Sequence, residues 1–378
     1  MSAQARIEAA LARTVAGGLP GVVVAARLPG GEVVEAAAGV RGLDNPAPMT
    51  PDTLFWIASF TKAITTAAAL QLVEDGRLDL DDPVGELLPA LAAPKVLKGF
   101  DGDGKPVLEA ARTPITLRHL LTHTSGLGYE FCSEELTRYV AATGPYPRGV
   151  GPDAPLLFEP GTGWTYGIGT DWTGQLIAAA AGEGLDTYLQ RRVFAPLGMA
   201  ETSFSLSEAQ RARRASMHAR GADGALAPMT FDMPPPPHFG MGGGGLYSTA
   251  ADYLKFLDAI LAGGGSILSA ASVAAMAASE WEGQEVGVLP AANPALCAGF
   301  DPLPGKAKRW GLGFLVNPAP GPAGRSAGSL AWAGLGNCYY WADPATGAAG
   351  VFLARHFPFA DPAALAAFGA FERAVYGA

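Results

Sequence analysis

The stretch Phe55-Trp56-Ile57-Ala58-Ser59-Phe60-Thr61-Lys62 sets a serine three residues before a lysine at what reads as the start of a helix. Phe60, Ile64, Ala67, Ala68 and Leu72 recur at helical spacing, and Gly76 ends the run. Positions three apart share a helix face, so the Ser59 hydroxyl and the Lys62 amine can meet. A serine hydroxyl is a weak nucleophile near neutral pH and needs a group to take its proton. An amine does this when burial or a nearby cation lowers its pKa enough to leave it neutral. Backbone N–H groups at a helix start also face negative charge developing beside the serine. A bare Ser-x-x-Lys arises by chance about once in a chain of this length, so its weight comes from the residues that follow.

The chain has 378 residues, 49% of them apolar and 16% charged, with 50 Gly and 31 Pro. This is a loop-rich globular composition, long enough for two domains or for one with a large insertion. The net charge of −9 and the lack of a basic stripe argue against a nucleic-acid partner. Cys132, Cys297 and Cys338 are scattered without a spacing pattern, as reduced thiols in a cytoplasm would be. The first 18 residues carry Glu8 and no continuous apolar core, and no apolar run reaches membrane-spanning length. A cytoplasmic protein with no membrane partner is expected.

Residues 3–16 predict an amphipathic helix, and Gly21–Ala26 with Glu32–Ala37 predict a hairpin around Pro29-Gly30-Gly31. A helix is expected after Thr116, another over Trp172–Ala181, a third from Gly184 to Ala195-Pro196, and a fourth over Ala250–Ala262. Residues 228–245 are too rich in Pro and Gly for a regular element and read as a loop that folds over something or joins domains. Strands are expected at Gly311–Val316, Ser329–Trp332, Asn337–Trp341 and Ala349–Arg355, then a helix near 361–376. Strands at both ends around a helical middle predict an α/β domain made of residues 1–58 and 231–378. A mostly helical domain, 59–230, is inserted in it, with the active site between them.

Several side chains compete for the chemistry. Tyr166, in a Gly-rich loop before a helix, can fill a corner or act as a phenolate-type base beside Lys62 and Ser59. The strand within Gly328–Gly336 can supply backbone N–H groups to an oxyanion hole, or simply be buried sheet. Gly324-Arg325-Ser326-Ala327-Gly328 matches Gly-x-Ser-x-Gly, with Asp343 and His356 following in the order of an α/β-hydrolase triad. The Pro-rich approach to Ser326 is no central strand, and a β-like run follows where a helix should, so Ser59 is favoured. His119 and His123, four apart, lack a third metal ligand and read as structural. The run Gly242–Gly245 reads as close-packed backbone. Neither a metal nor a cofactor is implied.

Taken together, these segments resemble the serine β-lactamase and penicillin-binding superfamily, and within it the class C-like esterases of family VIII. The stretch 55–62, Asp75–Val84, Leu120–Leu127, Pro196–Met199 and Gly243–Thr249 are all similar to landmarks of that family, in order along the chain. The resemblance implies a class C β-lactamase-like fold, an antiparallel sheet flanked by helices plus a helical insertion. It implies Ser59 as nucleophile, Lys62 and Tyr166 as its activators, and the N–H groups of Ser59 and Leu335 as oxyanion donors. Tyr166-Gly167-Ile168 lacks the asparagine of the lactamase Tyr-x-Asn, and Trp332-Ala333-Gly334 stands where lactamases carry Lys-Thr-Gly. An indole cannot hold a substrate carboxylate by an ion pair, and Trp-x-Gly is the form of the esterase branch. The expected substrate is a small neutral ester of short chain, with Trp332, Gly334, Phe60, Tyr129 and the 228–241 loop around it. The alternatives are a β-lactamase or D-amino-acid peptidase with Arg325, Arg355 or Lys308 as carboxylate anchor, an amide hydrolase, an acyltransferase, and a silent scaffold.

Overall fold

The computed structural model describes residues 1–144, 154–239, 241–278 and 286–377. Seven antiparallel strands form its central sheet: β1 (Gly21–Arg27), β2 (Val33–Gly39), β3 (Arg309–Trp310), β4 (Leu315–Asn317), β5 (Ser329–Gly334), β6 (Cys338–Asp343) and β7 (Ala348–Leu353). Their order is β2-β1-β7-β6-β5-β4-β3, so the N-terminal hairpin docks on the edge of a C-terminal meander. Val23 of β1 lies opposite Leu353 of β7. The sheet is thus built from both ends of the chain, as the sequence predicts. The antiparallel sheet flanked by helices is the α/β layering expected from the sequence.

Both faces of the inner strands are apolar, and the period of two separates their neighbours. On one face, Trp341 packs edge-on against Phe368 and Phe371 of the C-terminal helix. On the other, Tyr340 meets Phe60 and Tyr253 at ring separations of 4.7 and 5.0 Å. Five helices matter for the site: α1 (Ala3–Ala16), α2 (Thr61–Glu74), α3 (Gly169–Ala181), α4 (Ala250–Leu261) and α5 (Pro362–Tyr376). Helices α1 and α5 pack together, with α1 also against β2. Asp361 starts α5 by accepting the N–H groups of Ala363 and Ala364. Every residue of α2 from Thr61 to Leu72 is buried, with α3, the helical turn Met241–Gly244 and the segment Gln190–Phe194 packed against it.

The middle of the chain departs from the mostly helical expectation. Lys95–Phe100 and Pro106–Ala110 pair as a hairpin around the turn at Gly104. The expected strand Gly311–Val316 is shorter, because Gly311–Gly313 form the turn that folds Leu315 back onto Trp310. The segment 228–245 is not wholly irregular either: Leu226–Met229 enters it as a strand and Met241–Gly244 leaves it as one helical turn. Residue 240 and residues 145–153 lie outside the described residues. Among the described residues, no helix is long and apolar enough to cross a membrane.

The sheet's packing generates a direct test. Gly350 lies opposite Trp341 across β6 and β7, and a Cβ there would sit 2.1 Å from the indole ring. Gly350→Ala should therefore force the indole off Phe368 and Phe371 and destabilise the fold by roughly 1–3 kcal/mol. Thermal unfolding reads this as a lower Tm; an unchanged Tm would mean that the ring moves aside freely.

Candidate active site

Ser59 sits in a single helical turn, Ala58–Phe60, that leads directly into α2. The turn is strained: Ala58, carrying a Cβ, is held at φ 45°, in the left-handed region. Its surroundings fix it there. The Thr61 hydroxyl donates to the Ala58 carbonyl at 2.6 Å, and Ile57 N–H to the Leu246 carbonyl at 3.0 Å. Gly334 lies against the Ile57 carbonyl, where a Cβ would come within 2.5 Å. The Tyr253 hydroxyl donates to the Phe60 carbonyl at 3.0 Å. Phe60 itself is fully buried against Tyr253 and Tyr340, so it anchors the turn to the core and does not touch the cavity.

Lys62, on the first turn of α2, is buried with its amine facing back. Nζ lies 3.4 Å from Ser59 Oγ, 2.9 Å from the Tyr129 hydroxyl and 2.7 Å from the Gly243 carbonyl. Burial lowers the Lys62 pKa, the charge of Asp171 partly opposes it, and the result is about 8. Asp171 lies in the first turn of α3, accepting the Tyr129 hydroxyl at 2.6 Å and Gly243 N–H at 2.9 Å. Burial holds its carboxyl above the usual range, against the pull of Lys62, Tyr129 and Gly243. The glycine run is what lets these groups meet. A Cβ on Gly243 would lie 2.4 Å from the Asp171 carboxylate, and one on Gly242 would lie 2.5 Å from the Thr170 carbonyl.

Tyr166 lies on the other side of Ser59. It is buried, which drives its pKa up, while hydrogen bonds with the Ser59 and Trp332 side chains act the other way. Burial therefore favours the protonated phenol over the phenolate. The Trp332 indole N–H, 3.2 Å from the Tyr166 oxygen, points at it from β5. Trp332 also packs edge-on against Trp310 at 4.6 Å, so its ring lies behind Tyr166 and does not line the cavity. His123 completes this layer. It stacks near Tyr166 and Trp310 with its pKa driven well down by burial and by Lys62.

A cavity of about 500 Å³ opens in front of Ser59. Trp56, Tyr129, Phe131, Met233, Pro294, Leu296 and Leu335 supply most of its wall, and Glu130 and Asp171 are the charged residues lining it. Leu335, just past the end of β5, lines the same cavity as Ser59. Gly334 packs behind the serine turn. The 228–241 loop does fold over the site: Phe231 covers Trp56 at 4.6 Å, Phe239 covers Trp172, and Met233 reaches the cavity.

The rival residues are occupied elsewhere. Asp343 accepts Ser326 N–H at 2.9 Å and the Tyr376 hydroxyl at 2.9 Å, whereas His356 faces Asp361, so no triad assembles around Ser326. His119 closes a capping box with Thr116. Arg325 pairs with Glu372, Lys308 with Asp301, and Arg355 donates to the Ala215 carbonyl; none of these cations lines the cavity. Among the described residues, no group of three or more His, Cys, Asp or Glu is placed to hold a metal. Sequence reasoning missed Asp171 and the Gly243 carbonyl. Asp171 reads as a helix start, and only its offset from Tyr166 on the same loop-to-helix segment hints at more.

Comparison with known proteins agrees with this geometry. Residues 4–374 match the Beta-lactamase family. The chain is 36% identical over 349 residues to a monacolin J acid methylbutanoyltransferase of Aspergillus terreus, covering 87% of this chain and 83% of that protein. It is 38% identical over 266 residues to a lovastatin esterase of Penicillium rubens, covering 67% of this chain and 66% of the esterase. The solved structure of a simvastatin synthase mutant from Aspergillus terreus superposes with a TM-score of 0.87 at 34% identity, over 99% of this chain and 95% of that one. A family match that runs almost end to end, on a fold shared with acyl-transferring and ester-cleaving enzymes, shows that this chain belongs to the Beta-lactamase family.

Proposed function

We propose that the protein is a serine carboxylesterase of the family VIII type, which cleaves neutral esters through an acyl-enzyme on Ser59. The observation that carries this reading is the Lys62 amine, buried 3.4 Å from Ser59 Oγ with a pKa of about 8, beside a cavity that no arginine or lysine lines among the described residues. Ser59 Oγ attacks the ester carbonyl carbon while its proton passes to Lys62 Nζ. The carbonyl electron pair moves onto oxygen and is held by the N–H groups of Ser59 and Leu335; one such donor contributes about 3 kcal/mol of transition-state stabilisation. The C–O bond to the alcohol then breaks, and the alcohol oxygen takes the proton from Lys62, with the Tyr166 hydroxyl able to relay it. Water repeats the sequence on the acyl-enzyme and releases the acid.

The cavity wall favours uncharged substrates. Its apolar side chains suit an acyl or alcohol chain, and its two carboxylates repel the carboxylate of a penicillin or cephalosporin. An acceptor alcohol in place of water gives acyl transfer, a second reading favoured by the methylbutanoyltransferase relative at 36% identity. Adding a long-chain alcohol to an ester assay separates the two, since a transferase diverts the acyl group to a new ester while an esterase releases acid.

Three outcomes are expected. Ser59→Ala abolishes ester turnover and Ser326→Ala retains most of it; the reverse result in folded proteins would move the nucleophile to Ser326. Because the base must be neutral, kcat/KM for a neutral ester should rise with pH and level off above about 8, the Lys62 value. A rate flat from pH 6 to 9 would remove Lys62 as the base. Finally, kcat/KM for a butyrate ester should exceed that for penicillins by at least about 100-fold, roughly 2.7 kcal/mol in transition-state binding. Equal efficiency would sink the esterase assignment.

A further inference from the structure

Four groups close a ring beside the nucleophile: Lys62 Nζ to the Tyr129 hydroxyl at 2.9 Å, Tyr129 to Asp171 at 2.6 Å, Asp171 to Gly243 N–H at 2.9 Å, and the Gly243 carbonyl back to Lys62 at 2.7 Å. The Gly243 carbonyl can only accept, so it fixes one N–H of Lys62. The Tyr129 oxygen can accept a second only if its own proton is committed elsewhere. We infer that Asp171, as an acceptor, takes the Tyr129 proton and so makes Tyr129 a second acceptor for Lys62, leaving the lone pair of the neutral amine aimed at Ser59 Oγ.

Asp171 and Tyr129 are then positioning residues: both line the cavity, but each acts on Ser59 through Lys62. The inference rests on Lys62 being the base for Ser59 in acyl transfer. It adds a direction to the hydrogen bonds around it. A neutral amine has two N–H groups and one lone pair, and the site offers two acceptors and one hydroxyl to deprotonate. As Ser59 Oγ attacks the acyl carbon, its proton moves along that lone pair and Lys62 becomes an ammonium with three N–H groups, all three partnered. No group has to turn during the step, so little reorganisation opposes it. The opposite polarity is a protonated Asp171 donating to Tyr129, with Tyr129 donating to Lys62. It would tie up the lone pair and leave only N–H groups facing the serine.

The two polarities differ in charge, and this is measurable. The titratable groups facing the Lys62 amine are Asp171, Tyr129, Tyr166, His123 and Cys132. Asp171 is the carboxylate among them, and its charge raises the Lys62 pKa. Asp171→Asn keeps the shape and removes that charge. The expected result with a neutral chromogenic ester is a plateau kcat at least about 10-fold lower, a KM within about 3-fold, and an acid limb of the kcat profile displaced to lower pH. A purely structural role would lower the yield of active protein without moving the limb. If Asp171 is protonated in the native site, the neutral isostere leaves limb and plateau unchanged, and the inference is overturned. Tyr129→Phe carries the test independently should Asp171→Asn fail to fold: a wild-type plateau there also overturns it. Combined in one protein, the two changes should cost no more than the larger alone, since they break one chain of hydrogen bonds. Mass spectrometry of the acyl adduct keeps the underlying reading separate. An adduct absent from Ser59 refutes the nucleophile, whereas an adduct on Ser59 with unaltered variants refutes only the relay.

Discussion

An amine buried without water must find hydrogen-bond partners in the protein, and the arrangement of this molecule around Ser59 follows from that demand. Lys62 is enclosed by α2, α3 and the glycine run, and each gives it something. The glycine run gives the Gly243 carbonyl, the segment before the 130–132 turn gives Tyr129, and α3 gives Asp171. Burial lowers the amine's affinity for its proton while Asp171 keeps it from falling too far, and the balance lands near neutral pH.

The aromatic layer serves a different purpose. Tyr166, Trp332, Trp310 and His123 pack edge-to-face, which fixes the Tyr166 hydroxyl by shape as well as by the Trp332 N–H. An indole at this position therefore does two things. It leaves no cationic side chain at that position, and it restrains the phenol beside Ser59. The Trp332 ring packs against Tyr166 and does not line the cavity, unlike the sequence-based expectation of a cleft-lining Trp332.

Strain and close contact are concentrated at the serine. Ala58 adopts its left-handed backbone because Ile57, Thr61, Gly334 and Leu246 leave no other path. Phe60, directly after the nucleophile, is locked between Tyr253 and Tyr340. The position of Ser59 is thus set by core packing, and the cavity wall is added by loops: the 130–132 turn, Met233 and the 292–296 segment. Core packing thus holds Ser59 and Lys62, and loops shape the cavity in front of them.

Much of this was legible in the sequence. Hydrophobic periodicity with its caps predicts α1, α2, α4 and α5, and Gly-punctuated alternation predicts the paired strands at both ends. The spacing of Ser59 and Lys62 places their side chains together because a helix turn does so by geometry. The sequence could not show that Lys95–Phe100 and Pro106–Ala110 form a hairpin, since Val96 and Leu97 are buried side by side and Pro106–Ala110 is largely exposed, so neither strand shows a clear apolar alternation. Nor could it show that Phe60 turns to the core while Tyr129 turns to Lys62, because both are aromatic residues near a loop. Asp171 was hidden for the same reason: a carboxylate in the first turn of a helix fits the local rules fully, without any call for a partner. What the sequence determined by itself is the local order, helix starts, strand periods and pairs within one turn. Which distant groups share one proton network was decided by tertiary structure alone, because Tyr129, Asp171 and Gly243 meet Lys62 only when α2, α3 and the glycine run close on one another.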